Sequence, residues 1–201
     1  YEVFDTEMHV KALRLMDLVT DMRLALEREE FFLHFQPIVC LRSGKNIGFE
    51  SLIRWKHPKT GMLSPAEFIP VAEETGLIIP MGRWVIREAC RQVSQWRKSA
   101  TYASNGMSLS VNISGKQFRQ PDLPEYIEKT LSAFGLDSEC LKLEITETVA
   151  MDDVARTREM LGRFKDIGLT VMIDDFGTGY SSLSYLQQFP IDYLKIDRAF
   201  V

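Results

Sequence analysis

The sequence predicts an α/β fold built from parallel βα units, as in a (β/α)8 barrel. Short runs of β-prone residues alternate with helical stretches along most of the chain. Polar residues near the ends of three successive runs, Asn112, Glu144 and Asp174, recur at intervals close to the ~30 residues of one βα unit. The carboxyl ends of barrel strands converge on one face, so we expect these side chains to meet.

The first predicted element is an amphipathic helix from about Met8 to Glu30. Its apolar side chains recur at helical spacing on one face, at Leu15, Leu18, Val19, Met22 and Leu26. We expect this helix to lead into the main domain.

Six β-prone runs follow, and helical patterns separate most of them. The predicted strands are residues 31–39, 47–55, 107–113, 141–145, 169–175 and 193–200. The predicted helices between them are residues 65–75, 81–97, 124–134 and 152–167. Gly135 and Gly168 follow the last two helices, where glycine commonly ends a helix.

Composition excludes several classes of protein. The 201 residues contain 24 Lys and Arg against 28 Asp and Glu, a net charge of −4 that argues against binding a nucleic-acid polymer. No apolar run approaches the ~18 to 20 residues of a membrane span, and the first residues lack the features of a signal peptide. We therefore expect a cytoplasmic domain, although upstream segments of a longer parent protein would be able to anchor it in a membrane. Three cysteines without a C-x-x-C pair support neither a disulfide framework nor a cysteine zinc site.

Acidic residues interrupt two of the apolar runs. Glu50 and Glu144 each stand between apolar neighbours in a strand-like segment, where propensity disfavours an acid. A buried carboxylate needs a partner or a metal. The alternative, an acid on a strand facing solvent, stays open for each residue taken alone.

Asp174 and Asp175 form a sharper signal, because two adjacent carboxylates after an apolar strand repel each other unless a cation lies near them. Carboxylates with an amide oxygen suit Mg²⁺ or Mn²⁺. The glycine-containing segment that follows fits no nucleotide-binding pattern, since Ser182 stands where a third glycine would be. We interpret it as a flexible active-site loop, with a plain turn as the alternative. His9, His34 and His57 lack metal-ligand spacing, and we assign them no catalytic role.

Six segments together resemble the EAL-domain family of cyclic di-GMP phosphodiesterases. They are FQPIV at 35–39, GFESLIRW at 48–55, VNIS at 111–114, LEITE at 143–147, DDFGTGYSSL at 174–183 and LKID at 194–197. Ser51 stands where the family's naming tripeptide has alanine, and we expect little consequence. The resemblance implies an EAL domain over residues 23–201. Residues 1–5 and 8–9 resemble the tail of a GGDEF domain, so residues 1–22 would be a linker helix after an upstream domain of that kind.

The resemblance also implies a two-metal site. Four residues would hold one divalent ion, Mg²⁺ or Mn²⁺, namely Glu50, Asn112, Glu144 and Asp174. Asp174 and Asp175 would hold a second. Two such ions clamp a scissile phosphate and activate a water for in-line attack, which here would convert cyclic di-GMP to linear pGpG.

Further roles follow from the same resemblance. Lys195 would lie near the attacking water and stabilise the transition state, and Glu147 would hold the loop from Asp174 to Leu183 in place. The implied substrate contacts are Gln36, Leu52, Arg54, which would meet a phosphate oxygen, and Asp197, which would meet a guanine.

The family's barrel continues beyond this sequence into strands seven and eight, so the resemblance implies an incomplete barrel that ends after about the sixth strand. It further implies a homodimer formed near the loop from Asp174 to Leu183, with GGDEF and sensory domains upstream. A catalytically silent cyclic di-GMP receptor or a partner-binding module on the same fold is the alternative function. Such receptors usually lose metal ligands, and this sequence retains them.

Overall fold

A mixed seven-stranded sheet organises the computed structural model, which describes residues 6–98, 108–177 and 186–200. The strands are β1 (Phe31–Val39), β2 (Asn46–His57), β3 (Gly61–Leu63), β4 (Ser108–Asn112), β5 (Leu141–Thr146), β6 (Thr170–Phe176) and β7 (Tyr193–Ile196). Their order is β1-β2-β4-β5-β6-β7, with β3 paired to β2. The pairs β2–β4, β4–β5, β5–β6 and β6–β7 are parallel, which confirms the predicted βα units over this part of the sheet, whereas the short β3 runs antiparallel to β2.

The first strand pair corrects the prediction, because β1 runs antiparallel to β2. Only residues 40–45 separate the two strands, and a parallel pair needs a crossover of about a dozen residues or more. The short connection therefore forms a hairpin. Its register places Gln36 opposite Glu50.

Most of the strands are separated in the sequence by helices, and these helices pack against the sheet. They are α1 (Thr6–Glu27), α2 (Pro65–Thr75), α3 (Ile78–Arg97), α4 (Gly115–Phe118), α5 (Leu123–Ala133), α6 (Glu147–Asp152) and α7 (Val154–Asp166). The helix predicted over residues 152–167 is thus preceded by a second short helix. The break lies at Asp153, whose extended backbone lets its side chain accept a hydrogen bond from the Arg156 amide and cap α7. The strand predicted over residues 193–200 ends at Ile196, and a 3-10 turn, Arg198–Phe200, follows.

The main core lies between the helices and one face of the parallel strands. Alternate residues of β4, β5 and β6 are buried there, namely Leu109, Val111, Leu143, Ile145, Val171 and Ile173. Successive side chains on a strand point to opposite faces. The intervening residues, which include Asn112, Glu144 and Asp174, therefore share the other face.

A second core forms where α1 meets the sheet and α2. Met22 and Ala25 of α1 are fully buried in a cluster with Trp55 and Phe68. His57 adds a polar contact, because its Nε2 lies 3.1 Å from Asp21 Oδ2 while its Nδ1 accepts the Lys59 amide. The predicted boundary between residues 22 and 23 falls inside α1 and stays a prediction. Across the described segments, no helix has both the length and the apolar character needed to cross a membrane.

Candidate active site

The parallel strands bring the predicted metal ligands to one end of the sheet. Asn112 is the last residue of β4 and lies opposite Glu144 of β5. Thr146, the last residue of β5, lies opposite Asp174 of β6. Glu50 is on β2, the neighbour of β4 on its other side. Residues far apart in the chain thus become neighbours, as the predicted units require.

Three carboxylates form a compact ring around one ammonium group. Glu50, Glu144 and Asp174 each offer an oxygen within 4.8 Å of the other two. Lys195 Nζ donates to Glu50 Oε2 at 3.2 Å, to Asp174 Oδ2 at 2.9 Å and to Glu144 Oε2. We call these three acids and their oxygens the carboxylate ring. Lys195 lies at its centre, as the prediction of one cation among the acids requires.

Two further hydrogen bonds orient the ring. Asn112 Nδ2 donates to Glu50 Oε1 at 2.9 Å, and the Asp175 amide donates to Asp174 Oδ1 at 2.9 Å. A carboxylate accepts only from the nitrogen of an amide side chain. Asn112 therefore presents its nitrogen, and not its oxygen, to Glu50.

Burial sets the electrostatics of the ring. The Glu144 side chain is fully buried and that of Glu50 is 19% exposed, so the solvent-facing alternative is wrong for both. Burial raises the pKa of Glu144, although the hydrogen bond from Lys195 opposes the shift. Burial alone would lower the pKa of Lys195, but the bonds to Glu144 and Asp174 outweigh it and raise that pKa. Burial also raises the pKa of Asp175, followed by the charges of Asp174 and Asp197.

The ring fits a divalent cation. Glu144 Oε1 is buried and accepts no hydrogen bond from the described residues, and such an atom normally has a partner. The donor set consists of carboxylate oxygens and one amide oxygen, which Mg²⁺ and Mn²⁺ prefer. The residues present therefore suit the predicted ions.

Glu147 connects β5 to the segment after β6. It is 2% exposed, and its Oε2 accepts the Gly177 amide at 3.0 Å. Thr146 caps the short helix that Glu147 begins, by accepting from the Val149 amide. Gly177 has a φ of 100°, which favours glycine. Residues 178–183 of the predicted active-site loop lie outside the described part of the chain.

The structure describes all four predicted substrate contacts. Gln36 faces Glu50 across the β1–β2 hairpin, and Leu52 and Arg54 line a cavity of about 300 Å³ that Glu144 also lines. Arg54 Nη1 donates to the neighbouring Ile53 carbonyl at 2.8 Å. Asp197 Oδ1 accepts the Ala199 amide at 2.7 Å. Neither group hydrogen-bonds to the carboxylate ring within the described residues.

Two structural devices near the site were not predicted. Ser114 and Gln117 form a capping box that begins α4 at Gly115, three residues after Asn112, and the S-x-x-Q spacing was the available signal. Ser51 Oγ donates to the Ser110 carbonyl at 2.7 Å and thereby ties β2 to β4. No sequence signal identifies that bond, because it depends on the register of two strands.

Known proteins are similar to this chain over most or all of its length. A model of the EAL domain family matches residues 19–201. An uncharacterized signaling protein of Caulobacter vibrioides is 42% identical over 201 residues, all of this chain and 24% of that protein. The bifunctional diguanylate cyclase/cyclic di-GMP phosphodiesterase MucR of Pseudomonas aeruginosa is 41% identical over 201 residues, all of this chain and 29% of that protein. The chain thus spans less than a third of the length of either relative.

Solved structures share the architecture. The PaMucR phosphodiesterase in complex with c-di-GMP matches with a TM-score of 0.85 at 42% identity, over 92% of this chain and 73% of that one. The FimX EAL domain of Pseudomonas aeruginosa bound to c-di-GMP matches with a TM-score of 0.82 at 26% identity, over 92% of this chain and 72% of that one. The mixed α/β fold is therefore that of the matched EAL-domain structures, and it covers part of their length.

Proposed function

This chain belongs to the EAL domain family, and from that premise we propose that it hydrolyses cyclic di-GMP to linear pGpG with two divalent ions. The observation that supports the proposal is the carboxylate ring, with Lys195 among its three acids and Asn112 beside it. This arrangement combines oxygen atoms that can coordinate hard cations with a positive charge that can bind a phosphate.

The residues divide between two ion sites. Glu50, Asn112, Glu144 and Asp174 would hold the first ion, and Asp174 with Asp175 would hold the second. When bound, the ions would offset the charge of the scissile phosphate and lower the pKa of a water molecule.

The protein's own groups orient the substrate and stabilise charge. The Lys195 ammonium donates to a phosphate oxygen as negative charge develops in the transition state. Glu147 keeps Gly177 in place and so fixes the start of the loop after β6. In the overall reaction the water oxygen bonds to phosphorus, one P–O ester bond breaks, and the departing oxygen receives a proton.

Four residues form the proposed substrate-binding set, namely Gln36, Leu52, Arg54 and Asp197. The Arg54 guanidinium would turn from the Ile53 carbonyl to a phosphate oxygen, a stronger charge-assisted bond. Asp197 would accept from a guanine. The cavity beside Leu52 and Arg54 leaves room for part of the nucleotide.

The chain also has proposed partners. We place residues 1–22 as a linker after an upstream GGDEF domain and residues 23–201 as an EAL domain that continues past residue 201. A homodimer would form through the loop of residues 174–183. The relatives' greater length leaves space for the upstream domains.

The test uses the full-length protein with Mg²⁺ or Mn²⁺ and follows conversion of cyclic di-GMP to pGpG by chromatography. The Asp174→Asn variant is the inactive reference, and Glu128→Ala, an exposed glutamate on α5, is the matched surface control. Turnover by the wild type and the control, but not by Asp174→Asn, supports the proposal. Binding of cyclic di-GMP without turnover would establish the receptor alternative instead.

A further inference from the structure

The oxygens of the carboxylate ring are almost all engaged. Glu50 and Asp174 use both of their oxygens as hydrogen-bond acceptors, and Glu144 uses one. Lys195 supplies three of these five bonds. Within the described residues, Glu144 Oε1 is the one ring oxygen that accepts no hydrogen bond.

A divalent ion and the Lys195 ammonium would draw on the same three carboxylates, in which only Glu144 Oε1, among the described residues, accepts no hydrogen bond. Mg²⁺ requires oxygens at about 2.0 to 2.1 Å in near-octahedral geometry, whereas Nζ is already 2.9 and 3.2 Å from Asp174 Oδ2 and Glu50 Oε2. An ion held by those oxygens would place a double positive charge against an ammonium group. Two positive charges that contact the same carboxylate oxygens are only a few ångströms apart, on the order of 4 Å, and they repel strongly in a partly buried site.

We propose that Lys195 acts as an internal cation that closes the carboxylate ring, and that metal binding is an exchange in which Nζ leaves these oxygens. This inference rests on the proposed function, because it takes the ring to be the metal site. Without an ion, the ammonium offsets part of the repulsion among three acids. Once an ion enters, the released ammonium is available to the substrate phosphate, so that metal loading and readiness for catalysis become one event.

The first experiment measures Mn²⁺ affinity of the full-length protein by calorimetry, without nucleotide. Lys195→Met has a similar length and no charge, so it should bind Mn²⁺ at least about tenfold more tightly. Lys195→Arg retains the cation and should bind no more tightly than wild type.

Lys142 provides the matched control for a general charge effect. It is on β5, two residues before Glu144, and its ammonium lies 5.2 Å from the centre of the Tyr193 ring. Lys142→Met removes one positive charge near the site without removing a hydrogen bond to the ring. Its Mn²⁺ affinity should change much less than that of Lys195→Met. An equal gain in both variants would overturn the exchange and indicate simple electrostatics.

A second measurement needs no variant that has to fold. An amine-acylating reagent is applied to the wild-type protein with and without Mg²⁺, and peptide masses report each lysine. Acylation of Lys195 should accelerate when Mg²⁺ releases it, while Lys142 serves as the internal reference. Unchanged Lys195 acylation at saturating Mg²⁺, or equal or weaker Mn²⁺ binding by Lys195→Met, would overturn the exchange alone. Absence of Mn²⁺ binding in wild type and both Lys195 variants would overturn the metal site and the proposed function with it.

Discussion

Asn112 Nδ2 donates to Glu50 Oε1 at 2.9 Å and joins side chains that are 62 positions apart in the sequence. The contact crosses from β4 to β2, which pair directly in the sheet. It fixes one oxygen of Glu50 while Lys195 holds the other. The pair therefore holds side chains from two strands together at the proposed ion site.

Replacing Asn112 by Asp should disturb this pair in the metal-free protein. The new carboxylate has no hydrogen to donate and adds a like charge beside Glu50. In chelator, we expect the free energy of unfolding to fall by about 1 kcal/mol, a modest loss because Asn112 is exposed. Mn²⁺ should reverse this loss. Urea unfolding with and without Mn²⁺ measures both effects. Asn46→Asp adds the same charge at the start of β2 while still accepting from the Gly48 amide, so its free energy of unfolding should stay close to that of wild type. Equal stability of Asn112→Asp and wild type in chelator would contradict the proposed role of the hydrogen bond between Asn112 and Glu50.

Chelation should abolish cleavage of cyclic di-GMP. Asp175 follows the ring, and without ions the repulsion among four neighbouring carboxylates is offset only in part by Lys195. A chelator titration of the full-length protein, followed by re-addition of Mg²⁺ or Mn²⁺, should remove and restore turnover. NaCl at the same ionic strength controls for a general effect of salt. Full turnover in excess chelator would exclude the metal mechanism.

Glu147 should affect activity less severely than Asp174. Glu147→Ala removes the acceptor for the Gly177 amide but leaves the metal ligands in place. We expect roughly a 10- to 100-fold loss of activity or metal affinity, whereas Asp174→Asn should abolish turnover because both proposed ions share that carboxylate. Activity measured over a Mn²⁺ titration separates the two effects. Glu147→Gln retains an acceptor oxygen and should recover part of the loss; wild-type behaviour of Glu147→Ala at every Mn²⁺ concentration would refute the role.

The sequence predicted the parallel half of the fold well because its signals are local. Apolar runs alternate with helical periodicity around Asn112, Glu144 and Asp174, and the spacing of these residues matches repeated βα units. The antiparallel start was missed, although the short connection over residues 40–45 contained the information. Strand-like composition alone does not reveal direction.

The site was predicted as a set of residues and not as a set of contacts. Residue type and strand position suffice to bring Glu50, Glu144 and Lys195 to one end of the sheet. They do not reveal that Lys195 donates to all three acids or that Glu144 Oε1 accepts no hydrogen bond from the described residues. Those facts depend on rotamers and strand register, which no local pattern encodes. The predicted roles of the individual site residues remain proposals for the experiments above.

The three cysteines should differ sharply in reactivity, because the thiolate is the nucleophile. Hydrogen bonds from Ser43 lower the pKa of the Cys40 thiol. Burial, followed by the nearby Cys140, raises the pKa of Cys90 to about 12, and burial also raises that of Cys140. Iodoacetamide labelling followed by peptide mass analysis should therefore modify Cys40 at pH 8 and leave the other two intact. Because a raised pKa keeps a thiol protonated to higher pH, Cys90 should stay unlabelled up to about pH 10 while the protein is folded. Cys40→Ser should remove the labelling, and modification of Cys90 in folded protein at pH 8 would contradict the packing of α3.

Residues 1–201 expressed alone should be a weaker phosphodiesterase than a longer chain of the same protein. In the described sheet β1 and β7 are the edge strands, and β7 exposes large apolar side chains at Tyr193, Leu194 and Ile196. Unpaired apolar edges favour association with other chains. A (β/α)8 barrel typically takes about 250 residues, and the matched PaMucR chain is longer than this one. We therefore expect a chain extended by about 50 residues to show higher specific activity toward cyclic di-GMP and less light scattering at equal concentration. Equal activity and scattering of the two chains would show that an open sheet is sufficient, and that the additional strands contribute neither to the site nor to covering the edge at β7.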